Sequence, residues 1–185
     1  MENILKQYSS SQIEKAKSIK AIISDVDGVL TDGGIIYDNH GNELKIFSVK
    51  DGFIINHLKR AGILVGAITG RESEVVKFRC RELDFDFHYH GTKDKFRLYQ
   101  QIKNDYNLQD QQIAYIGDDI IDIPLLKVSG LGIVPSDAIY YISDFANLIT
   151  YARGGRGVLR EAADFILAAQ GKFEQVLNFY SASPE

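Results

Sequence analysis

Short apolar runs alternate with amphipathic segments along most of the chain. The runs KAIISD, ILVGAITG, FDFHYHG, QIAYIG and GLGIVP predict five buried strands. Segments with helical spacing lie between them, and a strong last one, GGRGVLREAADFILAAQ, follows the final strand. Because strands that alternate with helices pair in parallel through right-handed crossovers, the pattern predicts an α/β fold with a doubly wound, Rossmann-like parallel sheet.

Three segments depart from this alternation. Residues 3–18 have amphipathic spacing and predict one short helix. Residues 33–49 contain two β-rich runs around DNHGN, which predict a β-hairpin insertion. Residues from about 172 to 185 are either a tail that reaches a neighbouring subunit or a frayed end. We interpret residues 1–185 as a single domain, a length sufficient for one hydrophobic core.

Composition and charge narrow the class of protein. A hydrophobic fraction of 45% with 25% charged residues is typical of a soluble globular chain. The net charge of −4 does not favour nucleic acid or an anionic membrane as a partner. The single cysteine, Cys80, excludes an internal disulfide and suits a reducing compartment. Since no run resembles a signal peptide or a membrane span, we expect a cytoplasmic protein.

Candidate functional residues follow the predicted strands or begin the helices after them. Ligands of open parallel sheets bind at the carboxyl ends of the strands, so side chains placed there converge on one site. The sequence places acids, a hydroxyl and an amine at this edge: Asp25, Asp27, Thr69 with Gly70, Lys95, Asp118 and Asp122.

These residue types suit magnesium and phosphoryl chemistry. Crowded carboxylates repel one another, and a hard cation held through oxygen would compensate them. Asp25 could also attack phosphorus, with Asp27 as the general acid that later activates water. Lys95, the Thr69 hydroxyl and backbone N–H groups near Gly70 would bind the phosphoryl oxygens.

Each of these features also has a plainer interpretation. Loop aspartates often form turns or cap helices, and Thr69 with Gly70 could simply end a strand. Lys95 alone could be a solvated helix residue, and GDDIID could be an N-cap with an acidic first turn. Their order and their shared place at strand ends favour a functional site. His88 and His90 are interpreted as structural and Cys80 as inert.

Four segments carry a family resemblance. In order, DVDGVLTD, ITGR, GTKDK and GDDIID resemble the four motifs of the haloacid dehalogenase-like phosphatase superfamily. The resemblance implies that Asp25 is the nucleophile and Asp27 the acid and base, while Thr69 and Lys95 bind phosphate.

The resemblance also implies a cofactor and a cap type. Mg²⁺ would be held by Asp25, the backbone carbonyl of Asp27 and Asp118, with Asp122 supporting the metal. The segment before Thr69 has room for the hairpin and one helix, so we expect a member without a cap domain.

One branch of the superfamily is similar over nearly all of residues 20–173. The segments DVDGVLTDG, FSVKDGF, IGDDIID and GGRGVLREAADFILAAQGK resemble the 3-deoxy-D-manno-octulosonate 8-phosphate phosphatases. This resemblance implies hydrolysis of an eight-carbon keto-sugar phosphate on the route to lipopolysaccharide. It further implies a homotetramer in which neighbouring subunits contribute a lid to each active site.

Two functional alternatives remain open. A sibling branch acts on 2-keto-3-deoxynononate 9-phosphate and tends to carry Glu at the position of Arg71 and GGEG around that of Arg156. An arginine fork suits a sugar carboxylate, so both residues favour the eight-carbon substrate, although Arg156 could simply belong to a turn. Lys50, where an arginine is frequent, is a further predicted substrate contact. The other alternative is a non-catalytic module attached to a sugar-activating enzyme.

Overall fold

The computed structural model describes residues 2–181 and is built around one parallel sheet. The strands in chain order are β1 (Ala21–Ser24), β2 (Ile36–Tyr37), β3 (Glu43–Leu44), β4 (Leu64–Ile68), β5 (Phe87–Tyr89), β6 (Ile113–Ile116), β7 (Leu131–Val134) and β8 (Leu148–Ile149). Six of them form a sheet in the order β5-β4-β1-β6-β7-β8, and all neighbouring pairs in it are parallel. The predicted parallel α/β sheet is therefore confirmed.

Helices cover both faces of this sheet. They are α1 (Glu2–Leu5), α2 (Ser10–Lys17), α3 (Val49–Arg60), α4 (Glu74–Glu82), α5 (Lys95–Asp105), α6 (Ile123–Val128), α7 (Val158–Ala169) and α8 (Phe173–Ser181). Buried residues of α2, α3, α4, α7 and α8 form one hydrophobic cluster, and those of α5 and α6 form a second one. All four residues of β1 are buried because this central strand is covered on both faces.

The hairpin insertion is formed by β2 and β3. These two strands pair antiparallel, with Ile36 opposite Leu44 and Tyr37 opposite Glu43. Residues 33–68 are all described, and they contain the hairpin, α3 and β4 but no cap domain. Within residues 2–181, no helix combines the length and the apolar character that crossing a membrane requires.

The prediction of one continuous helix over residues 3–18 was wrong. Ser9 interrupts it, because its side chain accepts a hydrogen bond from the backbone N–H of Gln12 at 3.3 Å. The Gln12 side chain in turn accepts from the Ser9 backbone N–H at 2.8 Å, which completes a capping box. The chain therefore ends one helix and starts another at this position.

Residues 173–181 form a helix that packs on the rest of the domain. Helix α8 buries Phe173 and Val176 in the cluster that contains α7. Tyr180 lies 3.0 Å from the imidazole Nε2 of His57 on α3. The frayed-end interpretation is therefore wrong up to Ser181, and residues 182–185 lie outside the described residues. Two further elements, β8 and the 3₁₀ turn Tyr140–Phe145 before it, were not predicted from the sequence pattern.

Candidate active site

Seven of the ten predicted site residues line one pocket at the carboxyl edge of the sheet. Asp25 follows β1, Thr69 follows β4, and Asp118 follows β6, and these are three adjacent strands. Lys95 is the first residue of α5 and reaches the same edge. The pocket is lined by Asp25, Asp27, Thr69, Gly70, Arg71, Lys95, Asp118, Asp119 and Ile121.

Asp25 is buried and held at both carboxylate oxygens. Its Oδ1 accepts a hydrogen bond from the backbone N–H of Val26 at 2.7 Å, and its Oδ2 lies 2.8 Å from Lys95 Nζ. Burial raises the pKa of Asp25 to about 7, because desolvation of the carboxylate outweighs the stabilising charge of Lys95. Additional positive charge is therefore needed to keep this group fully ionised near neutral pH.

The buried Asp122 fixes the position of Lys95. Its Oδ1 lies 2.7 Å from Lys95 Nζ and accepts a hydrogen bond from the Tyr115 hydroxyl at 2.6 Å. Its Oδ2 accepts from the backbone N–H groups of Asp118 and Asp119 at 3.1 and 3.2 Å. Burial lowers the pKa of Lys95, but the two flanking carboxylates outweigh it and raise that pKa overall. Both oxygens of Asp122 thus serve to hold the amine and the loop after β6.

Asp118 has a carboxylate oxygen that is available to bind a cation. Its Oδ1 is buried and has no hydrogen-bond partner within residues 2–181. Burial, followed by the charges of Asp25 and Asp122, raises the pKa of Asp118 to about 8. Ligand atoms of these three acids all lie within 4.8 Å of one another. Carboxylate oxygens in this arrangement fit Mg²⁺, whose positive charge would offset the repulsion between the buried carboxylates.

Gly28 explains how the chain can pack so closely on this cluster. A Cβ at this position would lie 1.9 Å from Asp118 Oδ2, and the backbone φ is +86°. Only glycine combines that dihedral with that clearance. The glycine in the DVDG segment therefore lets the loop after β1 approach Asp118.

Asp27 lies on the outer part of the pocket and contacts a residue that sequence reasoning missed. Lys45, directly after β3, places its Nζ in close contact with Asp27 Oδ1, and its side chain is fully buried. The Thr31 hydroxyl lies 3.4 Å from the same oxygen, and Arg71 Nε lies 3.7 Å from Oδ2. Lys45 belongs to the hairpin of the same chain, and no local pattern in the sequence marks it.

Arg71 connects the hairpin to the pocket rim. Its Nη2 donates to Glu43 Oε1 at 3.0 Å and to the Tyr37 hydroxyl at 3.3 Å. The Ser73 hydroxyl donates to the other oxygen of Glu43. Burial raises the pKa of Glu43, but the contacts with Ser73, Arg71 and Lys45 outweigh it and lower that pKa. The hairpin is thus anchored beside the site by a network of charges.

Lys50 and Arg156 do not line the pocket. Lys50 has an exposed side chain in the first turn of α3, near Gly157. Arg156 lies in the loop before α7, where its backbone N–H donates to the Arg153 carbonyl at 2.9 Å. The turn interpretation of Arg156 therefore has support, and substrate contact by either residue stays a prediction.

Known proteins are similar to this chain over most of its length. A sequence profile of haloacid dehalogenase-like hydrolases matches residues 89–161. The 3-deoxy-D-manno-octulosonate 8-phosphate phosphatase of Yersinia pestis is 41% identical over 162 residues, which are 88% of this chain and 87% of the relative.

Solved structures of the same kind superpose closely. A crystal structure of the Yersinia pestis phosphatase has a TM-score of 0.89 at 40% identity, covering 90% of each chain. The enzyme of Moraxella catarrhalis, solved in complex with a magnesium ion, a phosphate ion and KDO, has a TM-score of 0.91 at 34% identity. That match covers 94% of this chain and all of the other one.

Proposed function

The chain belongs to the 3-deoxy-D-manno-octulosonate 8-phosphate phosphatase family of haloacid dehalogenase-like hydrolases, and we propose that it hydrolyses this eight-carbon keto-sugar phosphate with Mg²⁺. The observation that carries the proposal is the buried contact of 2.8 Å between Asp25 and Lys95, in a pocket that also contains Asp27, Thr69 and Asp118. This arrangement supports a reaction in which Asp25 is the nucleophile, Asp27 the proton donor, and Lys95 and Thr69 the ligands of the phosphoryl oxygens.

In the first step, we assign the attack on phosphorus to the Asp25 carboxylate. The Val26 N–H and the Lys95 ammonium orient its two oxygens. Lys95 and the Thr69 hydroxyl, with backbone N–H groups near Gly70, bind the oxygens of the transferring group. The product of this step is an aspartyl-phosphate and a released sugar oxygen that needs a proton.

We assign both proton transfers to Asp27. It gives its proton to the leaving sugar oxygen, and the resulting carboxylate then takes a proton from the water that attacks the aspartyl-phosphate. Phosphate leaves and the Asp25 carboxylate is restored. Lys45 and Arg71 surround Asp27 and position its carboxyl group for the two transfers.

The cation site is assigned to Asp25, Asp118 and the backbone carbonyl of Asp27. Mg²⁺ supplies positive charge that offsets the negative charge of the phosphoryl oxygens. The unpartnered Oδ1 of Asp118 supports this assignment. Asp122 was also predicted as a ligand; its engaged oxygens favour a supporting role, in which it holds Lys95 and the loop that carries Asp118.

Arg71 is the proposed contact for the sugar carboxylate. Its guanidinium lines the pocket beside Asp27, and its side chain remains 41% exposed. A planar guanidinium binds a carboxylate through two parallel hydrogen bonds, which suits a keto-acid sugar. Lys50, in the first turn of α3, and Arg156, in the loop before α7, are further proposed substrate contacts.

We also propose a homotetramer with lids contributed by neighbouring subunits. Apolar side chains of the hairpin region are 46% to 64% exposed, and a monomer rarely leaves such a patch uncovered: Ile35, Ile36, Tyr37, Leu44 and Ile46. Sedimentation of the purified chain tests this, and a monomer at working concentration would contradict it. A cytoplasmic location and a step toward lipopolysaccharide complete the proposal.

Phosphate release tests the proposed reaction directly. We expect the purified chain to release phosphate from 3-deoxy-D-manno-octulosonate 8-phosphate in Mg²⁺, and to lose this activity in chelator and in the Asp118→Asn variant. Absence of release with Mg²⁺ present would favour the non-catalytic alternative. An unchanged rate in chelator would contradict the role of the metal.

A further inference from the structure

A second group of metal-ligating side chains lies where α4 packs on β5. Cys80 is on α4, while His88 is in β5 and His90 directly follows it. Alternate residues of a strand point to the same face, so both imidazoles face the helix, opposite to Phe87. The cysteine sulfur and one nitrogen of each histidine all lie within 4.8 Å of one another. None of the three residues lines the active-site pocket.

The two imidazoles already share a proton. His88 Nδ1 and His90 Nε2 are 2.7 Å apart, so one ring donates an N–H to the other. The remaining nitrogen of His90, Nδ1, is buried and has no hydrogen-bond partner in the described part of the chain. An unsatisfied buried polar atom is costly and needs an explanation. Burial lowers the pKa of both histidines, which keeps the rings neutral and able to bind a metal.

Cys80 supplies the third donor. Its side chain is buried, and burial raises the pKa of the thiol to about 12, so without a metal it stays protonated. A coordinated sulfur is a thiolate, and binding would therefore release the thiol proton to solvent. Each neutral imidazole would keep its single proton on the nitrogen that does not coordinate.

We propose that Cys80, His88 and His90 form a binding site for one thiophilic divalent cation, of which Zn²⁺ is the type. Sulfur with two imidazole nitrogens suits Zn²⁺, whereas Mg²⁺ prefers oxygen ligands. The chain would thus hold two cations of different chemistry, one at the carboxylates of the pocket and one between α4 and β5.

The site needs only a small rearrangement. With Zn–N bonds of about 2.0–2.1 Å, two tetrahedral nitrogens lie about 3.3 Å apart. Binding through Nδ1 of both rings opens the 2.7 Å hydrogen bond between His88 Nδ1 and His90 Nε2. The metal then becomes the partner of the unpartnered His90 Nδ1, and each ring keeps its proton on Nε2.

The fourth position is open to a water. The charge of Glu72 acts on His90, but its carboxylate is not among the ligand atoms that lie within 4.8 Å of one another. Glu72 pairs with Lys77 on α4. A bound ion would link α4 to the end of β5, just before the loop that leads to Lys95, and we expect it to stabilise this part of the fold.

Cobalt titration of the full-length protein tests the site. The sequence contains one cysteine, so a thiolate-to-cobalt charge-transfer band reports on Cys80 alone. We expect the band to saturate at one ion per chain in the presence of excess Mg²⁺, and to disappear in Cys80→Ser. His88→Gln and His90→Gln should each weaken binding at least tenfold, a loss of about 1.4 kcal/mol. The matched control His40→Gln, in the exposed hairpin turn, should leave the titration unchanged.

Two further measurements keep the proposal falsifiable if a variant folds poorly. Zn²⁺ should raise the Tm of the wild type but not that of His90→Gln, because a ligand that binds the folded state stabilises it. Zn²⁺ binding should also release about one proton per ion from the thiol in weakly buffered solution. The proposal is overturned if the reduced protein gives no charge-transfer band. It is equally overturned if the band survives in the His88→Gln/His90→Gln double variant, or saturates at one ion per two chains.

Discussion

The two sides of the pocket are built differently. The inner side consists of Asp25, Lys95, Asp122 and Tyr115, which are all buried and lie at or near the ends of the central strands β1 and β6. The outer side consists of Asp27, Lys45, Glu43 and Arg71, where the contacts come from a hairpin whose strands have two residues each.

This difference suggests a division of labour, in which the inner side carries out the reaction and the outer side selects the substrate. The inner side holds the proposed nucleophile and its lysine partner, which hydrolysis of any phosphate ester would use, and the core of the sheet fixes their positions. The outer side surrounds Asp27, the proposed proton donor, and would face the leaving sugar, which is the part that differs between substrates. An element such as a hairpin can change without disturbing the sheet, so the family can alter its substrate while it keeps its reaction.

The largest expected effect is on the inner side. Asp25→Asn removes the proposed nucleophile, and phosphate release should fall by at least about 10³-fold. Because Lys95 keeps Asp122 as a partner and two neighbouring acids lose a repelling charge, the Tm should not fall. Steady-state phosphate release and thermal unfolding measure both effects. A variant that retains full activity would contradict the assignment.

Asp122→Asn should mainly reduce stability. It removes a buried charge beside Lys95 and places an amide against donors, at a cost of about 3 kcal/mol in the free energy of unfolding. Urea unfolding at neutral pH measures this. Asp110→Asn is the matched control, since Asp110 also contacts a tyrosine hydroxyl and a lysine but is more exposed. If both variants lose the same small amount of unfolding free energy, burial does not explain how the contacts of Asp122 stabilise the fold.

On the outer side, Lys45→Met should lower kcat by about 10- to 100-fold, since Asp27 loses the group that positions it for proton transfer. The pH profile of kcat should change as well, which loss of packing alone would not produce. Lys20→Met, at an exposed position, is the control and should behave like the wild type. An unchanged pH profile in the Lys45 variant would mean that the hairpin does not act on Asp27.

Arg71→Lys keeps the charge but removes the guanidinium fork. We expect kcat/KM for the keto-sugar phosphate to fall about tenfold, or about 1.4 kcal/mol, with little change for a small aryl phosphate that lacks a carboxylate. Arg156→Lys should have a smaller effect, because Arg156 does not line the pocket. Equal losses with both substrates would mean that Arg71 does not recognise the sugar.

The two sides should also respond to pH in opposite directions. In chelator, Asp25 contributes stability that is full below pH 4 and is lost as the pH rises through about 7, since its folded pKa is raised. The lowered pKa of Glu43 contributes stability that is lost as the pH falls. One titrating group gives a slope of up to about 1.4 kcal/mol per pH unit. Urea unfolding of Asp25→Asn and Glu43→Gln across this range should remove the respective slopes.

The sequence predicted the inner side better than the outer one. Asp25, Thr69 and Asp118 each follow a local apolar run, so the strand pattern alone brings them to one edge. Lys45 is 18 positions from Asp27, and only the fold-back of the hairpin joins them. Tyr115 looks like an ordinary core residue of β6, and its hydroxyl contact with Asp122 follows from packing. Helix α8 was not predicted, although Phe173, Val176 and Tyr180 recur at helical spacing. That spacing alone does not show that the segment packs on α3 and α7.

The most direct test of the account is competition between two substrates in one Mg²⁺-containing reaction. The account predicts that 3-deoxy-D-manno-octulosonate 8-phosphate is hydrolysed with a kcat/KM about tenfold above that of 2-keto-3-deoxynononate 9-phosphate, a difference of about 1.4 kcal/mol in transition-state binding. A preference for the nine-carbon substrate would contradict the assignment of the outer side, while phosphate release from neither would contradict the reaction itself.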